Sequence, residues 1–260
     1  MNIRLNKRFT LKINGFVFLL SLLVFASLIK LGFWQLDRAK QKEHRLQNIA
    51  LYQQQEAMKL DDIISLQVSE KNQSPSIETS IESINDLPVE LHGTFINQPS
   101  FLLDNQVYKG RLGYRVIKPF QDRNSHTKVL VNLGWIPGKV DRAYIPDIED
   151  IIGQVSFKGM VRLPEPSLVL SEDQNTPGAG PIRIQTIDIK KIRDRVDFPL
   201  LPFIIYVDNE DPLGYIKEWV PIVMSPDKHR GYAFQWFSLA LAWVILMLAV
   251  AFKSASKPES

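Results

Sequence analysis

The sequence of 260 residues contains no cysteine. Disulfide bonds are therefore excluded, and so are thiol chemistry and every copper, zinc or iron–sulfur site that needs a cysteine ligand. A domain outside the cytoplasm can use disulfides for stability. Here the stability must come from a packed hydrophobic core instead.

Enzyme signatures are also missing. The sequence has no G-x-S-x-G elbow, no phosphate-binding P-loop and no H-E-x-x-H pair. The glycines of Pro177–Pro181 (PGAGP) stand between prolines, which is typical of a turn. The acidic residues Asp208, Glu210 and Asp211 lack the spacing of a calcium loop. No stripe of Lys and Arg interleaved with aromatic residues suggests nucleic-acid binding. We therefore expect a protein that is not an enzyme, with an extracytoplasmic hydrolase as the weakest alternative.

Two long apolar runs dominate what is present. The first, Phe16–Ile29, is interrupted only by two serines, and the second, Tyr232–Phe252, contains no charged residue. A helix needs about 20 mostly apolar residues to cross a bilayer. Extended to Ile13 and Trp34, the first run has roughly 20 residues, which is longer than the usual apolar segment of a cleaved signal peptide, and no A-x-A-like site follows it. We predict transmembrane helices at residues 13–34 and 230–252.

Basic residues flank these runs and predict the orientation of the chain. The tail at residues 1–12 has four basic residues and no acidic one, and the tail at residues 253–260 has two basic residues and one acidic one. Because positive flanks stay inside, both tails are expected in the cytoplasm and residues 35–229 outside it. The short first tail does not resemble a mitochondrial transit peptide. The expected location is a bacterial inner membrane, with the main domain in the periplasm.

The residues between the runs change character along the chain. Residues 35–60 contain no Gly or Pro and predict a polar helix that continues the first span. Residues 65–86 are rich in Ser, Asn, Gln and Glu and predict a flexible insert. In residues 87–222 apolar residues alternate with polar ones, which predicts a β-rich core.

The clearest strand pattern is Lys128–Ile136, in which Val129, Val131, Leu133 and Trp135 fall on one face. Because many short strands alternate with turn signals, we predict a membrane α+β fold. In it, two transmembrane helices flank one mostly antiparallel β-rich extracytoplasmic domain, a sheet or a small barrel, with few helices. The other predicted segments are strands at residues 89–95, 101–103, 112–120, 155–163, 182–185, 202–208 and 217–222, a loop at 164–181 and a short helix at 188–196.

One of the four histidines stands out by its position. His229 immediately precedes the second span and should lie at the outer membrane face. Aromatic residues and an arginine at this depth commonly anchor a span in the interface. Anchoring does not explain a glutamine at this depth on both helices beside an imidazole, so an anchoring role and a binding role both stay open. The candidate site residues are Trp34, Gln35, Arg38, His229, Tyr232, Gln235 and Trp236.

Five segments together resemble one family. Leu31–Lys42 (LGFWQLDRAKQK) resembles the G-x-W-Q-x-x-R-x-x-x-K signature of the surfeit-locus family of cytochrome c oxidase assembly proteins. His229–Phe237 (HRGYAFQWF) resembles the family's H-x-x-Y-x-x-Q-W-[FY] block. The internal blocks Gly113–Phe120, Val129–Pro137 and Gly159–Leu163 also look like those of the family. The five blocks occur in the family's order and with its topology.

The resemblance implies a bacterial assembly factor for the haem–copper oxidase that acts when haem a enters subunit I. It implies that His229 is the candidate ligand of the haem iron. A haem binder also needs an apolar slot and a cation for a propionate. We expect Arg38 to pair with a propionate and Trp34 and Trp236 to flank the ring.

The glutamines and the tyrosine of the two blocks complete the expected site. Either Gln35 or Gln235 would orient the imidazole, and Tyr232 matches the family block in the second span. The expected cofactor is transiently bound haem a. The expected partners are oxidase subunit I, haem a synthase as a second candidate, and membrane lipid.

A scaffold that binds no haem is the alternative. In that case the extracytoplasmic domain docks on oxidase subunits and stabilises an assembly intermediate. The span residues then only anchor the chain and pack the two helices together.

Overall fold

The computed structural model describes residues 2–6, 9–12, 15–73, 83–139, 141, 144–164, 180–220 and 222–255. It divides into two compact units. The first consists of Met1–Asn48 with Val220–Ser260, and the second of Ile49–Trp219. In chain order the elements are β1 (Asn2–Asn6), β2 (Phe9–Lys12), α1 (Gly15–Tyr52), β3 (Met58–Lys59), α2 (Leu60–Gln73), β4 (Pro88–Phe95), β5 (Phe101–Tyr108), β6 (Arg111–Asp122), β7 (Lys128–Pro137), β8 (Val155–Arg162), β9 (Ile182–Ile184), α3 (Ile189–Arg193), β10 (Ile204–Val207) and α4 (Pro226–Ala255).

The first unit is built on two long helices, α1 and α4, and on the antiparallel hairpin of β1 and β2. Both helices are long and apolar enough to cross a membrane. Only 6% of the most apolar stretch of α1 and 11% of that of α4 are buried. Their apolar side chains therefore face outward, as those of a helix in lipid do and those of a core helix do not. Within the described residues, the two predicted spans lie inside these helices.

Helices α1 and α4 run antiparallel and meet along a seam of small residues. Trp243 Nε1 donates to Ser21 Oγ at 3.1 Å, and further along the seam the Phe33 and Phe237 rings meet edge to face, with centroids 5.4 Å apart. Small residues allow helix backbones to approach closely where no water is expelled between them. The small residues buried in this unit are Gly32, Ala39, Ala233 and Ala240.

The segment after the first span differs from the prediction. The polar helix ends at Tyr52, before residue 60. Helix α2 (Leu60–Gln73) then includes residues 65–73 of the predicted insert, and its Leu60 and Ile63 are buried in the core of the second unit. This tertiary contact outweighs the polar composition that predicted flexibility. Residues 74–82 of the predicted insert lie outside the described residues.

The second unit contains a closed five-stranded barrel. Strand β4 pairs with β8, β8 with β10, β10 with β7, β7 with β6, and β6 with β4 again. Within this ring only β10 and β7 are parallel. Strands β5 and β9 continue outward from β6, and β3 adds to β4. The predicted fold class, two apolar helices flanking a mostly antiparallel β-rich domain with few helices, is confirmed, and of its two forms the barrel is the observed one.

Side chains fill the barrel. Phe95, Phe120 and Phe157 form an aromatic cluster with ring centroids 4.9–5.9 Å apart. The aliphatic residues of the strands surround them and are buried with them. Five strands enclose too little space for a ligand once such side chains are inside. The barrel is therefore a packed core, and a binding site has to be sought elsewhere.

The predicted inward face of β7 is right for three residues and wrong for Trp135. Val129, Val131 and Leu133 belong to the barrel core, but after them the register shifts at Gly134, whose φ is +119°. Because a bulge inserts one extra residue, it reverses the alternation of faces beyond it. Trp135 therefore leaves the barrel core, and its Nε1 donates to Gln106 O at 2.9 Å.

A second cluster lies on the outer side of β5, β6, β7 and β10 and is covered by α3. Asp188 begins α3 by accepting hydrogen bonds from Lys190 N and Lys191 N, which is a standard N-cap. The described residues of the predicted strand 217–222, which exclude residue 221, are not in a strand; the preceding Ile216 makes an isolated bridge with Trp135. Most of the predicted loop, residues 165–179, lies outside the described residues.

Candidate functional site

His229 and Gln35 are joined across the two helices of the first unit. His229 lies in the first turn of α4 with only 9% of its surface exposed. Its Nδ1 is 2.7 Å from Oε1 of Gln35 on α1. With the amide oxygen as acceptor, Nδ1 carries the proton and Nε2 keeps its lone pair. Within the part of the chain that the structure describes, Nε2 has no hydrogen-bond partner.

Helical spacing brings these two side chains together. On α1, Gly32, Gln35 and Ala39 are three and four residues apart and share one face. On α4, His229 and Ala233 are four apart and share another. A Cβ on Gly32 would lie 2.5 Å from the Phe237 ring, so the absence of a side chain at Gly32 leaves the space that this ring occupies. Ala39 and Ala233 are buried on the same two faces as Gln35 and His229.

Trp34 and Arg38 form a second pair on an exposed side of α1. The Arg38 guanidinium lies 5.6 Å from the centroid of the Trp34 ring, and its Nη1 donates to Gln41 Oε1 at 3.0 Å. Trp34 is 48% exposed. Among the described residues Arg38 has no carboxylate partner. It is thus a positive charge beside an aromatic face, and it is available to an external anion.

The three remaining candidates lie on α4, and no hydrogen bond joins them to His229 or Gln35 within the described residues. Tyr232 is 43% exposed, Gln235 is exposed and Trp236 is half-buried. At about 100° per residue, Gln235 lies about 120° around the helix from His229. Of the two glutamines expected to orient the imidazole, the structure therefore places Gln35 beside it and leaves Gln235 away from it.

An ion-pair cluster next to the site escaped the sequence analysis. Arg230 Nη2 lies 2.7 Å from Glu43 Oε2 on α1, and its Nη1 lies 2.9 Å from Asp227 Oδ1. Glu43 is four residues after Ala39, so it continues the face that carries Gln35. Extending that face into the polar part of α1 would have revealed it.

The donor set suits a haem better than a bare metal ion. Among the described residues no group of three or more His, Asp or Glu side chains is placed to hold a metal ion. A haem already supplies four nitrogen ligands to its iron and needs only an axial one from the protein. His229 meets that need, because its Nε2 has no hydrogen-bond partner among the described residues. The Arg38 guanidinium, which has no carboxylate partner among them, suits a propionate.

Comparison with known proteins agrees with this architecture. The model of the SURF1 family matches residues 22–241, which include the barrel, most of α1 and the first half of α4. A SURF1-like protein from Rickettsia felis is 23% identical over 239 residues, which cover 88% of this chain and 93% of that relative. The chain therefore belongs to the SURF1 family, a family of assembly factors linked to oxidase assembly.

Proposed function

We propose that the protein assists the delivery of haem a to subunit I of haem–copper cytochrome c oxidase. Family membership supports a role in oxidase assembly. The observation that carries the finer proposal is the buried His229, whose Nδ1 is hydrogen-bonded to Gln35 and whose Nε2 has no hydrogen-bond partner among the described residues. A histidine that only holds two helices together needs no free nitrogen. A histidine that ligates iron does.

Each residue of the site has a task when haem a is bound. His229 holds the iron through Nε2, and Arg38 pairs with a propionate. Trp34 and Trp236 offer apolar surface to the ring. The exposed Tyr232 and Gln235 lie at the rim, where they contact the polar edge of the haem or the lipid headgroups.

The protein is a carrier in this proposal, so the haem is its cargo. A carrier has to release what it binds, and one protein ligand to the iron gives a weaker hold than two. Haem a synthase is the partner proposed to load the site, and oxidase subunit I is the partner proposed to empty it. The redox chemistry of the haem is used only after transfer.

The proposed location is the bacterial inner membrane, with both termini in the cytoplasm and the barrel in the periplasm. The antiparallel arrangement of α1 and α4 supports it, because two antiparallel spans return the chain to the side where it began. The basic residues of the two tails support the cytoplasmic side.

A haem-free scaffold is the second candidate. The seam of Gly32, Ala39, Ala233 and Ala240 favours it, because such residues are what a purely structural helix pair needs. In this case the imidazole–amide hydrogen bond only joins the helices. The barrel then carries the whole function by docking on the oxidase.

An absorption spectrum of the purified protein distinguishes the haem carrier from the haem-free scaffold. The protein is co-expressed with the enzymes of haem a synthesis and purified in detergent, alongside His229→Ala. We expect a haem a band in the wild type that is lost or shifted in His229→Ala. His44→Ala, which changes an exposed histidine of α1, is the control and should keep the band. Haem-free wild-type protein that still captures subunit I would favour the scaffold.

A further inference from the structure

We propose that Gln35 is a positioning residue that selects the ligating nitrogen of His229 and keeps the iron–imidazole bond weak enough for release. The inference rests on the proposed function, since it concerns how the same site holds haem. It goes further by naming the residue that sets the strength of the hold.

The contact between the two side chains selects one tautomer. An imidazole carries its single proton on either nitrogen. At 2.7 Å, Oε1 of Gln35 accepts from Nδ1 of His229, and the imidazole is 9% exposed, so little water competes for that proton. A buried N–H without an acceptor is costly, so the hydrogen bond holds the proton on Nδ1. Nε2 is then the nitrogen that ligates iron.

The charge of the acceptor sets the strength of the ligand. A carboxylate that accepts from the far nitrogen of a ligating histidine draws the proton toward itself and makes the imidazole a stronger donor. A neutral amide fixes the same tautomer and orientation but increases the donor strength of the imidazole much less. A resident haem benefits from the strong donor, whereas a haem that must leave benefits from the weak one.

The two carboxylates of the neighbouring ion-pair cluster are held by another partner. Glu43 and Asp227 both pair with Arg230, at 2.7 Å and 2.9 Å. Arg230 follows His229 directly in the chain and points about 100° away from it around the helix, so these acids are bound on a neighbouring face. The hydrogen-bond partner of the imidazole is thus an amide, and the two carboxylates pair with an arginine instead. This division is the expected one for a carrier.

The tautomer is tested without haem, by the ¹⁵N chemical shifts of the His229 ring in the haem-free protein. We expect the Nδ1–H tautomer in the wild type and a mixture in Gln35→Leu, with the exposed His44 as the internal reference in both. A wild-type ring protonated mainly at Nε2 would overturn the inference.

The strength of the ligand is tested on the haem-loaded protein by transfer to apomyoglobin and by the iron–histidine stretching frequency. Changing the partner of a metal-ligating histidine typically alters affinity about 10- to 100-fold. We expect Gln35→Glu to load haem, to raise the stretching frequency and to slow transfer by about that factor. Gln35→Leu should lose loading by a similar factor. Gln47→Glu makes the same change at an exposed position of α1 outside the proposed site, about 120° around the helix from Gln35, and should behave as the wild type.

The outcomes separate this inference from the function on which it rests. If the wild type carries no haem, the proposed function fails and the inference about release fails with it. If haem loads through His229 but Gln35→Glu and Gln35→Leu transfer it like the wild type, the inference alone fails. If Gln35→Glu slows transfer and Gln47→Glu does not, both stand.

Discussion

Lys118 shows how a single charged side chain is accommodated within the second unit. It lies on β6 with 1% of its side chain exposed. Its Nζ donates to Asn97 Oδ1 at 3.0 Å and to Glu149 O at 2.7 Å, and lies 3.8 Å from Asp150 Oδ1. Burial lowers the pKa of Lys118, and the charge of Asp150 partly opposes the shift. The ammonium thus ties the segment around residue 150 to the barrel at the cost of its own desolvation.

Removing this ammonium should destabilise the protein. We expect Lys118→Met to lower the free energy of unfolding by about 1–3 kcal/mol, because buried oxygen acceptors lose their donor. Denaturant unfolding in detergent measures the change. Lys158→Met, which changes an exposed lysine on β8, is the control and should stay within about 0.5 kcal/mol of the wild type.

The wild type and Lys118→Met should also differ in how their free energy of unfolding depends on pH. Since the pKa of Lys118 is lowered in the folded state, the unfolded chain binds more protons between that pKa and the ordinary value of about 10.4. Stability from this group therefore rises with pH in that window and is lost as pH falls through the folded pKa. The advantage of the wild type over Lys118→Met should grow as the pH is raised toward 10. A constant difference would show that Lys118 titrates normally.

The sequence predicted the residues of the candidate site better than their contacts. Motif spacing placed Gln35 and His229 at one membrane depth, but spacing within one helix does not define which face meets the other helix. Gln35 and Gln235 were therefore equivalent in the sequence and are not in the structure. The burial of Lys118 was invisible, because it depends on a segment some 30 residues further along the chain.

At the scale of elements, the seam between α1 and α4 depends on glycine at one position. We expect Gly32→Ala to destabilise the helix pair and to reduce haem loading, because its Cβ would meet the Phe237 ring at 2.5 Å. Gly231→Ala makes the same change on α4 where nothing lies within 4 Å. It should be neutral or stabilising by up to about 1 kcal/mol, since alanine favours helix.

A second change checks the cause of that effect. Replacing Phe237 by Ala removes the atoms that the new Cβ would meet, so the double variant Gly32→Ala/Phe237→Ala should lose less stability than the two single changes predict together. Thermal unfolding in detergent gives the comparison. Simple additivity would rule out the steric explanation.

Most strands of the second unit were predictable, and the exceptions have identifiable causes. Alternating apolar residues gave β4, β6, β7 and β8 to within about two residues of their observed ends, because one face of each strand fills the barrel. The bulge at Gly134 was missed because a glycine within a strand pattern does not by itself show whether the side chains after it switch to the other face of the strand. Strand β3 and helix α2 were missed because most of their residues are polar, and because contacts of their few apolar residues with β4 and the core order them.

At the scale of the whole molecule, the proposed topology is testable with single cysteines, because the chain has none of its own. Val107 in the barrel unit is 68% exposed, and Ser260 ends the second tail. In intact spheroplasts, a membrane-impermeant maleimide should label Val107→Cys and leave Ser260→Cys unlabelled until the cells are lysed. Labelling of both before lysis, or of Ser260→Cys alone, would contradict the orientation.

The position of β10 in the barrel has a consequence for synthesis. β10 lies between β7 and β8, so neither of those strands has its full set of neighbours until residues 204–207 have been made. Residues 138–203 separate β7 from β10, and at 5–20 residues per second they take roughly 3–13 s to synthesise. During that interval β7 presents an unpaired edge, which is a template for aggregation. The rate of translation through residues 138–203 therefore determines how long the unpaired edge of β7 in each new molecule is exposed to aggregation.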